Sequence, residues 1–310
     1  MCEPNSAPRW SRRVLLAAIP AFVAAACSRP QEAVEPTSGS TTTSSSALTG
    51  PTAASETTTT TRPPEVPMVH TTEAALDKAE LAARYARIEP SNWGTDLPGL
   101  VKTVDAPAQA LALTFDACGG PGGNGVDQDL IDLLTRENVA CTLFLNQRWI
   151  DANPAIVDRM VANPLFEIAN HGTRHVPLSV DGRSAYGIAG TGSPAEVIDE
   201  VFVNHERLVR ITGLAPRWFR PGTAHYDDVA LRIVTELDER PTGFAVNGDA
   251  GATAATSAIT DALLDAPAGA IVLLHMNQPS GSTAEGLAAA LATLRERGTR
   301  FVTLSGDGTD

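Results

Sequence analysis

From Ala110 to Leu304 short apolar runs alternate with longer amphipathic ones, and this alternation constrains the fold more than any other feature of the chain. A short run rich in apolar and β-branched residues reads as a buried strand, and the amphipathic stretch after it as a helix. The strand candidates are Ala110 to Phe115, Ala140 to Leu145, Phe166 to Ala169, Trp218 to Phe219, Gly243 to Val246, Ala270 to Leu274 and Phe301 to Leu304. A helix-like stretch, Glu73 to Ile88, comes first. Val126 to Glu137, Pro154 to Ala162, Pro194 to Thr212, Asp227 to Leu237, Ser257 to Leu264 and Thr283 to Arg297 fill the intervals. Asn153 before Pro154 and Ser193 before Pro194, with Glu196 close behind, are helix-start signals. Strict β-α alternation implies the α/β class and a parallel sheet with right-handed crossovers. Seven strands suit an irregular seven-stranded parallel (β/α) barrel, whose chemistry belongs at the C-terminal edge of its strands.

The residues ahead of this region have a different character. In 1–27, paired Arg12 and Arg13 precede an apolar stretch, Leu15 to Ala26, that is too short to span a bilayer, as in an export signal. Ala24-Ala25-Ala26-Cys27 resembles a lipoprotein processing box, with Cys27 as the lipidated residue. The segment 28–67 is dominated by Thr, Ser, Pro, Ala and Glu from Thr37 onward, a composition that buries too little apolar surface to fold and reads as a tether. Residues 68–310 then form the barrel domain. The expected location is the outer side of the cytoplasmic membrane, as a membrane-anchored lipoprotein monomer. A formal net charge of -13 with no basic block in the folded part argues against nucleic acid as a partner. Cys118 and Cys141 are the two cysteines outside the leader. One lies past the end of a strand and the other at the start of the next, roughly 15 Å apart, so both are expected to be free thiols.

Four clusters follow strand candidates. Asp116 closes the first and is followed by Ala117, Cys118, Gly119 and Gly120. Gly119-Gly120-Pro121-Gly122-Gly123 lacks the Lys-Ser or Lys-Thr ending of a phosphate loop. After the third strand come His171 and His175, four apart, which can face one point if the segment makes a helical turn; two imidazoles form half a site for zinc or a related ion. Arg217-Trp218-Phe219-Arg220-Pro221 brings two guanidinium groups and an aromatic to another strand. A guanidinium beside Asp116 would lower the carboxyl pKa and hold its orientation. His275 ends the strand that contains Leu273. It can give a proton to a leaving group, while Leu273 can line an apolar pocket. A single histidine after a strand is more often structural, but four such clusters at strand ends argue together.

Over about Ala110 to Leu304 the chain resembles the polysaccharide deacetylases, also called carbohydrate esterase family 4. Thr114-Phe115-Asp116 is similar to the family's first motif, which implies that Asp116 is the catalytic base. His171 and His175 resemble its metal-binding pair, and Arg217 to Pro221 its arginine motif, in which an Arg engages the aspartate. Leu273 and His275 match its apolar pocket and general acid, with Trp218 as a further pocket residue. Asp249, in Val246-Asn247-Gly248-Asp249, is the candidate for tuning His275. The resemblance implies metal-assisted removal of N-acetyl, or O-acetyl, groups from a cell-wall or other polysaccharide, with a divalent metal, zinc first.

Two departures from the family pattern matter. Ala117 and Cys118 stand where it has a second, metal-binding aspartate and a glycine, and Gly172 stands where it has Ser or Thr. Three accounts of the missing ligand remain open. Asp116 can join the His pair on the metal, the account favoured because Cys118 comes one residue late. The Cys118 thiolate can replace the carboxylate. Or the domain binds no metal and is a non-catalytic glycan-binding lipoprotein.

Overall fold

The structure, a computed structural model, describes residues 77–105 and 108–306. The expected export signal, the Cys27 lipidation box and the tether lie outside the described residues, as does the start of the helix expected from Glu73. Among the described residues no helix is long and apolar enough to cross a membrane.

The central strand β1 (Ala110–Ala117) is buried at every position, which its nearly unbroken apolar run requires of a parallel strand covered on both faces. It is joined by β2 (Cys141–Leu145), β3 (Phe166–Asn170), β4 (Trp218–Phe219), β5 (Arg240–Pro241), β6 (Val246–Asn247), β7 (Ile271–His275) and β8 (Arg300–Phe301). The path runs β6-β7-β1-β2-β3-β4-β5, and β8 pairs with Ala110 and Leu111 of β1, below the point where β2 takes over at Thr114. Every pairing in this sheet is parallel. No ladder joins β5 to β6 among the described residues. Instead Val101 exchanges backbone hydrogen bonds with Pro241 and Gly243, Lys102 accepts from Ile271, and Val104 donates to Gly269, which stitches the seam. The irregular seven-strand parallel barrel is therefore present, with corrected edges. Arg240–Pro241 is an additional strand, the Gly243–Val246 candidate shifts to Val246–Asn247, and the Phe301–Leu304 candidate shifts to Arg300–Phe301.

The helices are α1 (Lys78–Tyr85), α2 (Gln128–Arg136), α3 (Gln147–Ala152), α4 (Pro154–Val161), α5 (Pro194–Thr212), α6 (Asp228–Glu236), α7 (Thr256–Leu264) and α8 (Thr283–Glu296). Helix α3 had no counterpart among the sequence candidates. It starts because the Asn146 side chain, just past β2, accepts from the Arg148 amide. At α5 the expected start signal operates as read, with Ser193 accepting from the Glu196 amide and Pro194 in the first turn.

Strand alternation sorts the core into two layers. Leu111, Leu113, Phe115 and Ala117 pack outward in a large core shared with α2, α4, α7 and α8, while Ala110 and Ala112 face inward with Phe144, Trp218 and Ile271. By the same period of two, Thr114, Asp116 and the next residue, Cys118, point to the inner face. The strand continues through Ala117 rather than stopping at Phe115, and that carries Cys118 onto the face occupied by Asp116.

Candidate active site

Register brings the strand ends together. His275 lies opposite Asp116, Asp116 opposite Phe144, Leu145 opposite Asn170, and Asn170 opposite Phe219. Residues that close parallel strands thus share one rim.

Asp116 is buried, and its Oδ1 accepts from Arg220 Nη1 at 2.8 Å. The fully buried guanidinium also donates to Thr114 Oγ1 at 3.0 Å and the Gly243 carbonyl at 2.9 Å, and lies 4.2 Å over the Phe144 ring. Burial alone would push the Asp116 carboxyl up, but His171, Arg220 and His275 around it hold it below the ordinary range. One carboxylate oxygen is therefore fixed, and the other, Oδ2, lies 3.6 Å from His171 Nε2.

The His171 Nδ1 sits 2.8 Å from the Arg220 carbonyl, an atom that can only accept, so Nδ1 carries the hydrogen and Nε2 faces the site. Cys118 Sγ lies 3.8 Å from that Nε2. One ligand-capable atom each from Cys118, His171 and His175 lies within 4.8 Å of the others. Tetrahedral zinc with one thiolate and two imidazoles sets its sulfur and nitrogen roughly 3.6 Å apart, so this trio fits a divalent ion of soft preference. Burial would raise the Cys118 thiol, yet His171, His175 and His275 hold it well below its usual value. Burial would likewise lower His171, but Asp116 and Cys118 raise it. The same two anions that hold a proton on the imidazole would favour a cation among these groups, so loading the site must release protons. Contrary to the order of preference drawn from sequence, Cys118 completes the three-atom cluster, and Asp116 stands beside it, tied to Arg220.

The His171–His175 segment is not a helical turn. Gly172 and His175 adopt φ values of +77° and +61°, and the segment wraps around the buried Glu200 carboxylate of α5, which accepts from the backbone amides of Thr173, Arg174 and His175. A Cβ on Gly172 would stand 2.6 Å from Glu200 Oε1, so this wrapping accounts for glycine at that position. Asn146 Nδ2 donates to the carbonyls of His171 and Gly172, and Asn170 Oδ1 accepts from the Gly172 amide. Behind them Asn170 Nδ2 donates to Glu239 Oε1, which also receives His205 Nδ1 at 2.8 Å. Sequence reasoning passed over Glu200, Asn146 and Glu239. Glu200 and Asn204 had a readable signal, since they interrupt the apolar face Val197, Val201 and Leu208 at helical spacing.

At the opposite side of the rim, the amide and Nδ1 of His275 both donate to Asp249, at 2.6 and 2.9 Å, and Thr283 Oγ1 donates to the same carboxylate at 3.0 Å. Burial would lower the His275 pKa, but Asp249 and Cys118 raise it well above normal. Asp249 therefore sits where a tuning partner for His275 should be.

Two expected site residues lie elsewhere. Arg217 reaches Ser305 Oγ, and Trp218 Nε1 donates to Glu167 Oε1 and Ser305 Oγ, all at the N-terminal end of the parallel strands. The reason is strand geometry: Arg217 precedes Arg220 by three positions, roughly 10 Å along the chain, and points to the other face. Leu273 shares the inner face with His275 but is buried beneath it. The groove over the rim, about 470 Å³, is instead lined by residues that include Cys118, His175, His275, Arg148, Arg174 and Ile188. Cys118 and Cys141 are both free, as expected.

A family model described as polysaccharide deacetylase matches residues 103–241, which carry Asp116, Cys118, the two histidines and Arg220. That region belongs to the polysaccharide deacetylase family. It is similar to the peptidoglycan-N-acetylglucosamine deacetylase PgdA of Listeria monocytogenes, at 27% identity over 235 residues, 74% of this chain and 46% of that protein. Among solved structures it resembles a family 4 acetyl xylan esterase from Clostridium thermocellum in complex with a cobalt ion, with TM-score 0.52, 27% identity and coverage of 63% of this chain and 88% of that one. A family pseudoenzyme from Bacillus anthracis shares the fold, with TM-score 0.56 at 21% identity over 67% of this chain and 68% of that one. The chain spans about half the length of the first curated relatives it matches.

Proposed function

We propose that this chain is an extracytoplasmic carbohydrate deacetylase that hydrolyses N-acetyl groups on a cell-wall polysaccharide, with O-acetyl groups a close chemical variant. The observation that carries this reading is the convergence on one rim of a Cys-His-His cluster, a buried carboxylate pinned by arginine, and a histidine hydrogen-bonded to a buried aspartate. Cys118, His171 and His175 are the residues that would hold a divalent ion, zinc by their chemistry. Such an ion supplies Lewis acidity toward an acyl oxygen and toward water. Asp116, kept ionised and oriented by Arg220, takes the proton of the attacking water through Oδ2. His275, kept protonated by Asp249, gives its proton to the departing amine. Water and the amide are consumed, and acetate and an amino sugar leave. Similarity to PgdA makes peptidoglycan the first substrate to test. The leader, Cys27 and tether support an anchor on the outer side of the cytoplasmic membrane.

The test is acetate release from acetylated chito-oligomers and wall glycan, with and without zinc. Asp116→Asn should slow release about a thousandfold, within the range of general-base loss. Silence of the zinc-loaded wild type on every substrate, with glycan binding retained, would sink the hydrolase and favour a non-catalytic binder. Bound metal that survives replacement of both His171 and His175, read by elemental analysis, would remove them from the metal set.

A further inference from the structure

Beside the groove three rings gather at the surface. Ser184–Ala185 and Ile188–Ala189 pair antiparallel as a small hairpin closed by Tyr186 and Gly187, whose φ values are +53° and +77°. Two successive positive φ angles suit the tight turn of a hairpin, and its first position normally goes to Asn, Asp or Gly. Tyr186 occupies it with 82% of its surface exposed. Neither backbone preference nor burial accounts for an aromatic there. Of the four large hydrophobics exposed among the described residues, two, Tyr186 and Ile188, lie on this hairpin.

Tyr186 stands edge-on to His225, with ring centroids 5.4 Å apart, and His225 lies 5.6 Å from Trp93 at 43°. His225 is set by its loop: Nδ1 donates to the Thr223 carbonyl at 2.7 Å, and Thr223 and Ala224 both adopt positive φ. The other end of that loop packs under a metal-site histidine. A Cβ on Gly222 would enter the His175 backbone and come within 2.8 Å of its ring carbon Cγ. Ile188 closes the circuit, because it lines the groove together with His175 and His275. The rings are thus continuous with the rim through two separate connections.

We infer that Trp93, Tyr186 and His225 form a stacking platform for a pyranose unit of a glycan chain, next to the unit whose acetyl group lies in the groove. The choice of a glycan rests on the deacetylase reading above. A pyranose offers an apolar C–H face with a polar rim, which suits an exposed aromatic carrying a hydroxyl and an imidazole carrying a free nitrogen. A protein partner fits less well, since three rings, two of them half-buried, are far smaller than a stable protein interface.

Calorimetric titration of the full chain with N-acetylglucosamine oligomers of two to six units tests this, alongside acetate release on the same samples. Affinity should rise with length in the wild type. Tyr186→Ala should weaken binding of the hexamer about tenfold, as loss of a stacking aromatic implies, and barely change the dimer. Tyr186→Phe should retain most of the hexamer affinity. Tyr186→Asn should weaken binding like Tyr186→Ala while leaving Tm unchanged or raised, because Asn tolerates the left-handed conformation. Equal hexamer affinity in wild type and Tyr186→Ala, or no dependence on length in the wild type, overturns the platform. Tyr186-dependent binding without acetate release would leave the platform standing and sink the hydrolase. Acetate release with a length response indifferent to Tyr186 would do the reverse.

Discussion

Each end of the barrel holds a polar cluster, and the two differ in what their polar atoms point at. At the N-terminal end Glu167 Oε2 accepts from Thr142 Oγ1 and the Ser305 amide, while Oε1 accepts from Trp218 Nε1 and the Ser305 hydroxyl. Donors and acceptors there consume one another, and the result is a plug. At the C-terminal end a buried guanidinium, a backbone carbonyl and a buried acid each fix one side of a group, Arg220 on Asp116 Oδ1, the Arg220 carbonyl on His171 Nδ1, Asp249 on His275 Nδ1. Their other atoms converge with Cys118 on a shared space beside an open groove. Saturated polar clusters hold a fold together, whereas half-tethered convergent ones are arranged for a visitor.

The sharpest way to break that contrast is at Ala117, which belongs to the outward core beneath the helices rather than to the rim. Ala117→Asp should supply no metal ligand and should destabilise the fold by about 3 kcal/mol or more, as a buried unpaired carboxyl does. A variant with wild-type Tm and tighter metal binding would show that residue 117 can turn inward. Cys118→Ser is the complement. Loss of a ligand should weaken zinc binding by at least the roughly hundredfold seen when supporting residues are removed, with little change in Tm. Intact affinity in a zinc competition titration would take the thiol out of the site.

These two residues also show where reading the sequence stops. Long buried runs such as β1 and β7 declare themselves, and with parallel order they place Asp116 and His275 on one rim. A two-residue strand such as Arg240–Pro241 carries no period to recognise. Against the family motif, whose second aspartate falls at Ala117, Cys118 comes one position late; the strand's continuation through Ala117 puts Cys118 on the face of Asp116. The arginine motif failed similarly: Arg217 and Arg220 look equivalent in sequence, but three positions along a strand separate opposite ends of the barrel. Trp218 follows Arg217 to the plug. Glu200, which shapes the His171–His175 segment, shows in the sequence as a break in the apolar face of its helix, but the pattern does not say which backbone amides it receives.

A smaller effect separates support from chemistry. Glu239, buried and pushed up to about 7 by desolvation, receives His205 and Asn170 on one oxygen, and its Oε2 has no hydrogen-bond partner. A folded pKa raised above the unfolded value favours the protonated form in the native state. The stabilisation is complete below the ordinary Glu pKa of about 4.3 and is lost as pH rises through 7. Glu239→Gln should remove this dependence, so between pH 5 and pH 8 the wild type should lose on the order of 2 kcal/mol relative to the variant. Thermal melts that run parallel across that window would rule out Glu239 as the titrating group.

The plug gives the smallest expected changes and the control for all the others. Glu167→Gln turns one acceptor oxygen into an NH2 donor that faces other donors, which should cost about 1–2 kcal/mol of stability, with acetate release per folded molecule unchanged. Arg217→Ala removes only an outward guanidinium whose bond to Ser305 is long, 3.5 Å, so the folding stability should stay within about 0.5 kcal/mol of wild type. Arg220→Met, three positions later, strands the buried Asp116 and should abolish activity. A loss of catalysis in Arg217→Ala comparable to that in Arg220→Met would mean that the two ends of the barrel are coupled, and that the division between plug and rim fails.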